Sequence, residues 1–290
     1  MLHLNLGTGI DSCPVGISKL IYLHTLIGVK FSLGNAASAN ALQWRDLKEL
    51  RDFQHLSLRF YRESGTFKGT SKGESGDYQL EDEGTFRGMT KMRTLYVRYV
   101  HFDIFKSEGL HLPTDMEAME RLEIVHLICC VVPKWIFQLQ NLMELTLHGM
   151  YNASSADFRG LEKIPNLKKL LLGWNQNPDF IEFPNEFGEA GAFLKLEELV
   201  IHYFKHLKSI PSFHEDAMPR LRCLKITECQ PLENMPEGLM KLKNLKEVEV
   251  KMRIDSQKNF EYEKRDCWKG HIWQSFKDRQ IKIKMEVSDD

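Results

Sequence analysis

The stretch LEKIPNLKKLLLGWN, from Leu161 to Asn175, decides the fold of this chain, and Phe183-Pro184 closes the unit that it begins. Apolar residues recur every three positions up to Leu170 and then alternate, so that Leu172 follows after one residue. Three-residue spacing is typical of a helical turn, whereas alternation is typical of a strand. The stretch therefore predicts a short strand whose Leu170 and Leu172 point into a core, while the residues beside them point outward.

The same pattern recurs on both sides of this stretch. The first apolar residue of each predicted strand stands at positions 125, 145, 170, 199, 224 and 248, which are separated by 20, 25, 29, 25 and 24 residues. A second marker, an apolar residue followed by proline, recurs in phase with the strands at positions 112, 132, 183, 210 and 235. Two periodicities in phase indicate a repeat array, in which each unit buries its apolar face against the next one.

This pattern resembles the leucine-rich repeat, whose signature is Leu-x-x-Leu-x-Leu-x-x-Asn or Cys. The resemblance implies an α/β repeat solenoid, namely a leucine-rich-repeat horseshoe with a parallel concave β-sheet and an irregular or short-helical convex side. The repeat spacing divides the chain into four predicted segments. They are N-terminal leucine-rich repeats (1–61), a Gly-rich charged loop insertion (62–88), further leucine-rich repeats (89–255) and a C-terminal cap (256–290).

The pattern is weaker outside the central repeats. Between Cys13 and Leu26, apolar residues at three-residue spacing fit either a repeat or one face of an amphipathic helix. Residues 62–88 contain six glycines among charged residues but no Gly-x-x-x-x-Gly-Lys-Ser/Thr phosphate loop, and we expect a solvated insertion there. In the cap we expect a helix within 258–278 and a strand from Ile281 to Val287, which together cover the last repeat.

Composition and charge exclude several classes of function. The chain is 42% hydrophobic and 27% charged, as is typical of a soluble protein with a core. A net charge of -1 gives no electrostatic case for binding nucleic acid or an anionic membrane. We find no apolar run of about 18 residues that would span a membrane, and the N-terminus lacks the basic region of a secretory signal. Six cysteines without a C-x-x-C pair indicate reduced structural thiols, which predicts a cytoplasmic protein.

The sequence contains no recognisable catalytic or metal-binding arrangement. Motifs such as Gly-x-Ser-x-Gly, His-Glu-x-x-His and the kinase catalytic loop are absent, so we predict that the chain is not an enzyme. Three of its eleven histidines, His126, His148 and His202, fall on outward strand positions. His148 and His202 lie two strands apart, or roughly 10 Å, which is too far to share a zinc ion. We expect no catalytic, cofactor-binding or metal-binding residues.

The predicted strands do supply a surface, because the residues beside the core leucines face outward on the concave side of the sheet. Apolar and aromatic residues lie side by side in the middle strands, with charged residues toward the C-terminal end. Aromatic anchors within a polar rim are typical of protein interfaces, although loops covering some of these residues are the alternative. We expect a protein partner to bind the following outward positions: Tyr96, Arg98, Ile124, His126, Ile128, His148, Lys169, Leu171, Trp174, Val200, His202, Tyr203, Lys225, Glu247, Glu249 and Lys251.

One unit resembles a specific family. The stretch CPVGISKLIYLHTL, from Cys13 to Leu26, is similar to the Leu-Pro-x-x-Ile-x-x-Leu-x-x-Leu-x-Thr-Leu unit of plant nucleotide-binding leucine-rich-repeat (NB-LRR) disease-resistance proteins. Residues 112–124, 132–136 and 235–239 look like the irregular repeats of the same family. Such receptors bind ADP or ATP in a separate domain, whose Walker lysine and Met-His-Asp triad are absent from this chain. The chain therefore resembles the C-terminal repeat portion of such a receptor or a truncated relative of one, and we expect it to have no cofactor of its own.

The resemblance implies a function as the sensor of an intracellular plant immune receptor in the defense response. Its partner would be a pathogen effector, a guarded host protein or the receptor's own nucleotide-binding domain, which the repeats would restrain. Two alternatives compete with this hypothesis. A leucine-rich-repeat substrate adaptor of a ubiquitin ligase should show an F-box before the repeats, and an enzyme should show an assembled site. The sequence shows neither feature.

Overall fold

The chain forms two compact units in a computed structural model, residues 1–142 and residues 143–290. The residues that the structure describes are 2–6, 16–32, 50, 52–61, 89, 91–99, 121–129, 132–150, 153–176, 179, 183, 187–210, 213–229, 237–254 and 271–289. The insertion predicted at 62–88 lies outside these residues, and the four predicted segments stay a prediction.

The first unit is a sheet of parallel strands that pair in chain order. Its described strands are β1 (Leu2–Asn5), β2 (Leu23–Ser32), β3 (His55–Tyr61), β4 (Thr94–Tyr99) and β5 (Ile124–Cys129). Single turns of 3₁₀ helix lie at Ile17–Lys19 and Lys134–Gln138. Because β2 begins at Leu23, only one helical turn precedes it in residues 16–22. The amphipathic-helix alternative for the stretch ending at Leu26 is therefore wrong over the described residues.

The second unit is likewise a sheet of parallel strands that pair in chain order. Its described strands are β6 (Glu144–Gly149), β7 (Lys169–Asn175), β8 (Glu198–Phe204), β9 (Cys223–Thr227), β10 (Glu247–Ile254) and β11 (Lys282–Asp289). Its described helices are α1 (Ser155–Glu162), a 3₁₀ helix at Glu237–Lys241 and α2 (His271–Asp278). Parallel strands joined by short or irregular connections confirm the predicted solenoid class.

The inward leucines form rows that cross the strands. In the first unit, one row consists of Leu26, Leu56, Leu95 and Val125. In the second unit, the two rows are Leu145, Leu170, Leu199, Leu224 and Val248, and then Leu147, Leu172, Ile201, Ile226 and Val250. Every one of these side chains is at most 1% exposed. Burying each of them contributes on the order of 1.5–3 kcal/mol, so the rows supply the main driving force of the stack.

Behind the sheet of the second unit lies a cluster of aromatic residues. Helix α1 begins with a capping box, in which the Ser154 hydroxyl accepts from the Asp157 N–H and the Asp157 carboxylate accepts from the Ser154 N–H. This helix buries Phe158, whose ring meets Phe183 and Phe187 edge-on with centroids 5.5 Å away in both cases. The sequence pattern did not predict the cluster, because these residues stand outside the strand motif.

The C-terminal segment contains the expected helix and strand, and its strand extends the sheet. Strand β11 pairs with β10 in parallel along its whole length. The guanidinium of Arg279 donates to the carbonyl oxygens of Met240 and Leu242 at 2.8 and 2.6 Å, which ties the end of α2 to the preceding connection. The α-helices within the described residues are eight residues long, and none has the length and hydropathy to cross a bilayer.

Candidate functional site

The outward residues of the second unit lie in three rows, which together are called the outer face. The strand register places one row at the start of the strands, one in the middle and one toward their ends. The first row is Glu144, Lys169, Glu198, Cys223, Glu247 and Lys282; the middle row is Thr146, Leu171, Val200, Lys225, Glu249 and Lys284; the last row is His148, Gly173, His202, Thr227 and Lys251.

Ion pairs connect five of the charged residues in the first and middle rows. Glu198 lies between two lysines, with its carboxylate 2.7 Å from the Lys225 ammonium and 3.4 Å from the Lys169 ammonium. Burial acts to raise the pKa of Glu198, but the two lysines together outweigh burial and hold the pKa below its usual value. Lys284 pairs with Glu247 at 2.5 Å and lowers the pKa of that carboxylate as well. The charges of Lys169, Glu198, Lys225, Glu247 and Lys284 are therefore compensated by neighbouring residues of the outer face.

The last row is packed tightly around Gly173. A Cβ atom at this position would lie 2.9 Å from the carbonyl oxygen of His202 and 3.1 Å from Nδ1 of His148. The His148 ring therefore occupies the space that a side chain at position 173 would need. On the next strand, Nδ1 of His202 is hydrogen-bonded to the Thr227 hydroxyl at 2.8 Å. The two histidines are held in place on either side of β7.

An aromatic pair, Trp174 and Tyr203, stands just beyond the last row. The two ring centroids are 6.4 Å apart and the planes meet at 89°. His148 approaches Trp174 edge-on at 6.2 Å, and His202 lies 6.2 Å from Tyr203. Trp174 nevertheless remains 39% exposed. The structure thus brings together four of the predicted site residues into one partly exposed aromatic group.

Both members of the aromatic pair have left-handed backbone conformations, with φ of 54° at Trp174 and 52° at Tyr203. Bulky residues rarely adopt positive φ, because the Cβ atom crowds the neighbouring carbonyl. The two positions therefore break the strict in-and-out alternation of the strand. Sequence reasoning identified both residues as outward-facing, but no sequence signal indicated their conformation.

The predicted site residues of the first unit form a smaller group. Tyr96 is 39% exposed, and its ring centroid lies 4.4 Å from that of His126 on the neighbouring strand. Ile124 and Ile128 are half-buried on β5. Arg98 belongs to β4, but its side chain lies outside the described part of the chain.

Val200 is the predicted site residue whose exposure the structure contradicts. The register places it on the outer face between Leu171 and Lys225, as expected. It is nevertheless only 7% exposed. The longer side chains of Leu171 and Lys225 flank it on both sides, and the Lys225 ammonium is fixed above the strand by its bond to Glu198. Val200 therefore supports the outer face from below rather than offering contact area.

The buried titratable groups of the second unit are structural. Burial raises the pKa of the Cys229 thiol to about 12, and its sulfur lies 3.8 Å from the carbonyl oxygen of Ile201. Burial also raises the pKa of Glu162, whose carboxylate accepts a hydrogen bond of 2.6 Å from the Gly188 N–H. Among the residues that the structure describes, no three His, Cys, Asp or Glu side chains meet in a way that could hold a metal ion.

Comparisons with known proteins agree with this architecture. A family model described as a leucine-rich repeat region matches residues 1–270. The volume-regulated anion channel subunit LRRC8D of rat, human and mouse is 28% identical over 120 residues, which is 41% of this chain and 13% of those proteins. The chain therefore matches only a small part of the length of these relatives.

Two solved structures are similar to the chain at low sequence identity. An internalin from Listeria monocytogenes is 13% identical, with a TM-score of 0.43 over 87% of this chain and 62% of the internalin. A leucine-rich-repeat protein from Leptospira interrogans is 17% identical, with a TM-score of 0.39 over 94% of this chain and 81% of that protein.

Proposed function

The chain belongs to the leucine-rich repeat family, and we propose that it is a protein-interaction module whose partner binds the outer face of the second unit. The observation that carries this proposal is the exposed indole of Trp174 packed against Tyr203. Large aromatic side chains that are exposed in a free protein but ordered by their neighbours are typical anchors of protein interfaces.

The surroundings of this pair support the same function. The first and middle rows supply a polar border of paired lysines and glutamates on the side of the aromatic group toward the strand starts. Rim charges of this kind orient a partner and affect the association rate more than the affinity. Repeat folds also carry their binding surfaces on the sheet, where successive strands present side chains in rows.

For the biological setting, we propose the sensor part of an intracellular plant immune receptor in the cytoplasm. The support is the likeness of residues 13–26 and of the irregular repeats to NB-LRR disease-resistance proteins. In this setting the partner is a pathogen effector, a guarded host protein or a nucleotide-binding domain, and ADP or ATP binds outside this chain.

A direct test is co-expression of the chain with NB-LRR nucleotide-binding domains and with candidate effectors, followed by size-exclusion chromatography and titration of any complex. The proposal predicts a stable complex with one of these proteins and no ATP hydrolysis by the purified chain alone. ATP turnover by the chain alone would contradict the proposed function. Failure of every candidate to associate would contradict the immune-receptor setting.

A further inference from the structure

Residues at or next to the ends of four neighbouring strands of the second unit share an unusual backbone conformation. Gly149, Trp174, Tyr203 and Glu228 have φ of 90°, 54°, 52° and 56°. The pairing of His148 with Gly173 places Gly149 beside Trp174, and the pairing of Asn175 with Phe204 places Trp174 beside Tyr203. The pairing of His202 with Thr227 places Tyr203 beside Glu228 in the same way. These four residues are called the left-handed row.

A shared backbone conformation at the same repeat position sends the side chains in the same direction. The 6.4 Å contact between Trp174 and Tyr203 shows this for the two aromatic members. Glu228 follows Tyr203 at the next strand, about 4.8 Å further along the row. The row therefore presents an indole, a phenol and a carboxylate in sequence, with the phenol in the middle. Its fourth member, Gly149, adds no side chain on the other side of Trp174.

The Trp174 indole is exposed and Tyr203 is half-buried, so a ligand can reach both rings. Neither His148 nor Tyr203 stacks on the indole of Trp174, since their planes meet it at 78° and 89°. Aromatic rings carry negative potential on their faces and attract cations, most strongly at an indole. Left-handed conformations of bulky residues cost free energy, and such conformations cluster at binding sites, where the geometry they impose is used.

The carboxylate of Glu228 differs from those of the first row. Glu198 and Glu247 are each paired with lysine, whereas the carboxylate of Glu228 makes no ion pair within the described residues. Its backbone N–H donates to the carbonyl oxygen of Lys251 at 2.7 Å, which fixes the residue at the strand end. Glu228 is half-buried. The backbone of Glu228 is therefore fixed next to that of Tyr203 in the register.

We propose that the left-handed row binds an arginine or lysine side chain that the partner protein presents. The cationic group lies over Tyr203, within reach of the Trp174 indole on one side and the Glu228 carboxylate on the other. Two rings and one carboxylate suit a guanidinium well, because it both stacks on aromatic faces and forms charge-assisted hydrogen bonds with carboxylates. This inference rests on the proposed function, because it names the chemistry of the partner at the same surface.

The test is selection of a random peptide library against the whole chain, followed by affinity measurements on the enriched peptides. We expect enrichment of peptides with a required arginine or lysine. Replacing an arginine by citrulline, which has nearly the same shape without the charge, should weaken binding about 5- to 30-fold. Glu228→Gln should weaken the arginine peptide to a similar extent and should largely remove its advantage over the citrulline peptide. Trp174→Ala should also weaken binding, whereas Glu215→Gln, which changes an exposed carboxylate outside the row, should leave the affinity unchanged.

The outcomes separate this inference from the proposed function. Peptides that lose affinity with Trp174→Ala, but are indifferent to citrulline and to Glu228→Gln, would overturn the cation site and leave the outer face as the binding surface. Peptides that are indifferent to Trp174→Ala as well, or a selection that enriches no peptide, would overturn both.

Discussion

The left-handed backbone at Trp174 and Tyr203 links the fold of this chain to its proposed binding surface. Regular alternation would point these residues inward with Leu172 and Ile201, whereas with positive φ their rings pack against each other and against the histidines of the last row. The conformation costs roughly 1–2 kcal/mol for a residue with a Cβ atom. Stability and function therefore make different demands on these two positions.

At Tyr203, glycine and alanine substitutions separate the cost of the left-handed backbone from the loss of the ring. Both Tyr203→Gly and Tyr203→Ala remove the ring, but only glycine relieves the strain of positive φ. We expect the glycine variant to be more stable than the alanine variant by about 0.5–1 kcal/mol, after allowing for the greater freedom of glycine in the unfolded chain. Urea denaturation measures the difference. At Lys169, which lies in the regular strand β7, we expect the alanine variant to be more stable than the glycine variant. The same order of stability at both positions would contradict the backbone strain assigned to Tyr203.

Glu162 makes the stability of the chain depend on pH. Burial raises its folded pKa above the ordinary value of 4.5, although the hydrogen bond from Gly188 acts in the opposite direction. A raised folded pKa means that the stabilising contribution is complete at pH below the unfolded pKa and is lost as pH rises through the folded pKa. We therefore expect Glu162→Gln to gain stability relative to the native chain as the pH rises from the ordinary pKa of 4.5 through the raised folded pKa.

Measuring Glu162→Gln as a difference from the native chain removes the effects of the other carboxylates. The lysine-paired Asp52, Glu198 and Glu247 have lowered pKa values and lose their stabilising contribution toward acid pH in both proteins alike. Glu215→Gln is the matched control, because Glu215 is exposed. If the stability advantage of Glu162→Gln shrinks or stays constant as the pH rises, this would contradict the raised pKa of Glu162.

The strands are held together by rows of apolar residues that run through neighbouring repeats. Each core residue therefore packs against the repeats before and after it. Leu224 is fully buried between Leu199 and Val248. Leu224→Ala should lower the free energy of unfolding by about 2–5 kcal/mol, because the neighbouring repeats can fill the resulting cavity only in part. Lys168→Ala, at an exposed position before β7, should change it by no more than about 0.5 kcal/mol. Equal losses in denaturant melts would show that the repeat phase is wrong.

The repeat phase is also what sequence could predict. Leu170 and its equivalents were predictable because alternation and a period of 20 to 29 residues specify which side chains point inward. The burial of Val200 could not be predicted from the sequence, because it depends on the side chains of Leu171 and Lys225 on the two neighbouring strands. Likewise, neither the packing of Phe158 against Phe183 nor the row that ends at Glu228 has a local signal. Features of single strands follow from spacing, whereas features shared between strands require the register.

The distinctive chemistry of the second unit lies on a surface assembled from its described parallel strands, β6 to β11. This surface combines the paired charges of the first and middle rows, the histidines of the last row and the aromatic pair. These residues are far apart in sequence and meet only because the repeats of the second unit stack in register. Binding by such a surface should therefore depend on a few aromatic anchors and little on the opposite side of the unit.

The affinity of the partner complex for matched variants tests this account most directly. With the protein that associates in the co-expression experiment, Trp174→Ala and Tyr203→Ala should each weaken binding about 30-fold or more, as truncation of an aromatic anchor does. Lys163→Ala, at the exposed end of α1, should bind like the native chain. Native affinity for both aromatic variants, together with loss of binding for Lys163→Ala, would show that the partner binds elsewhere and would contradict the account.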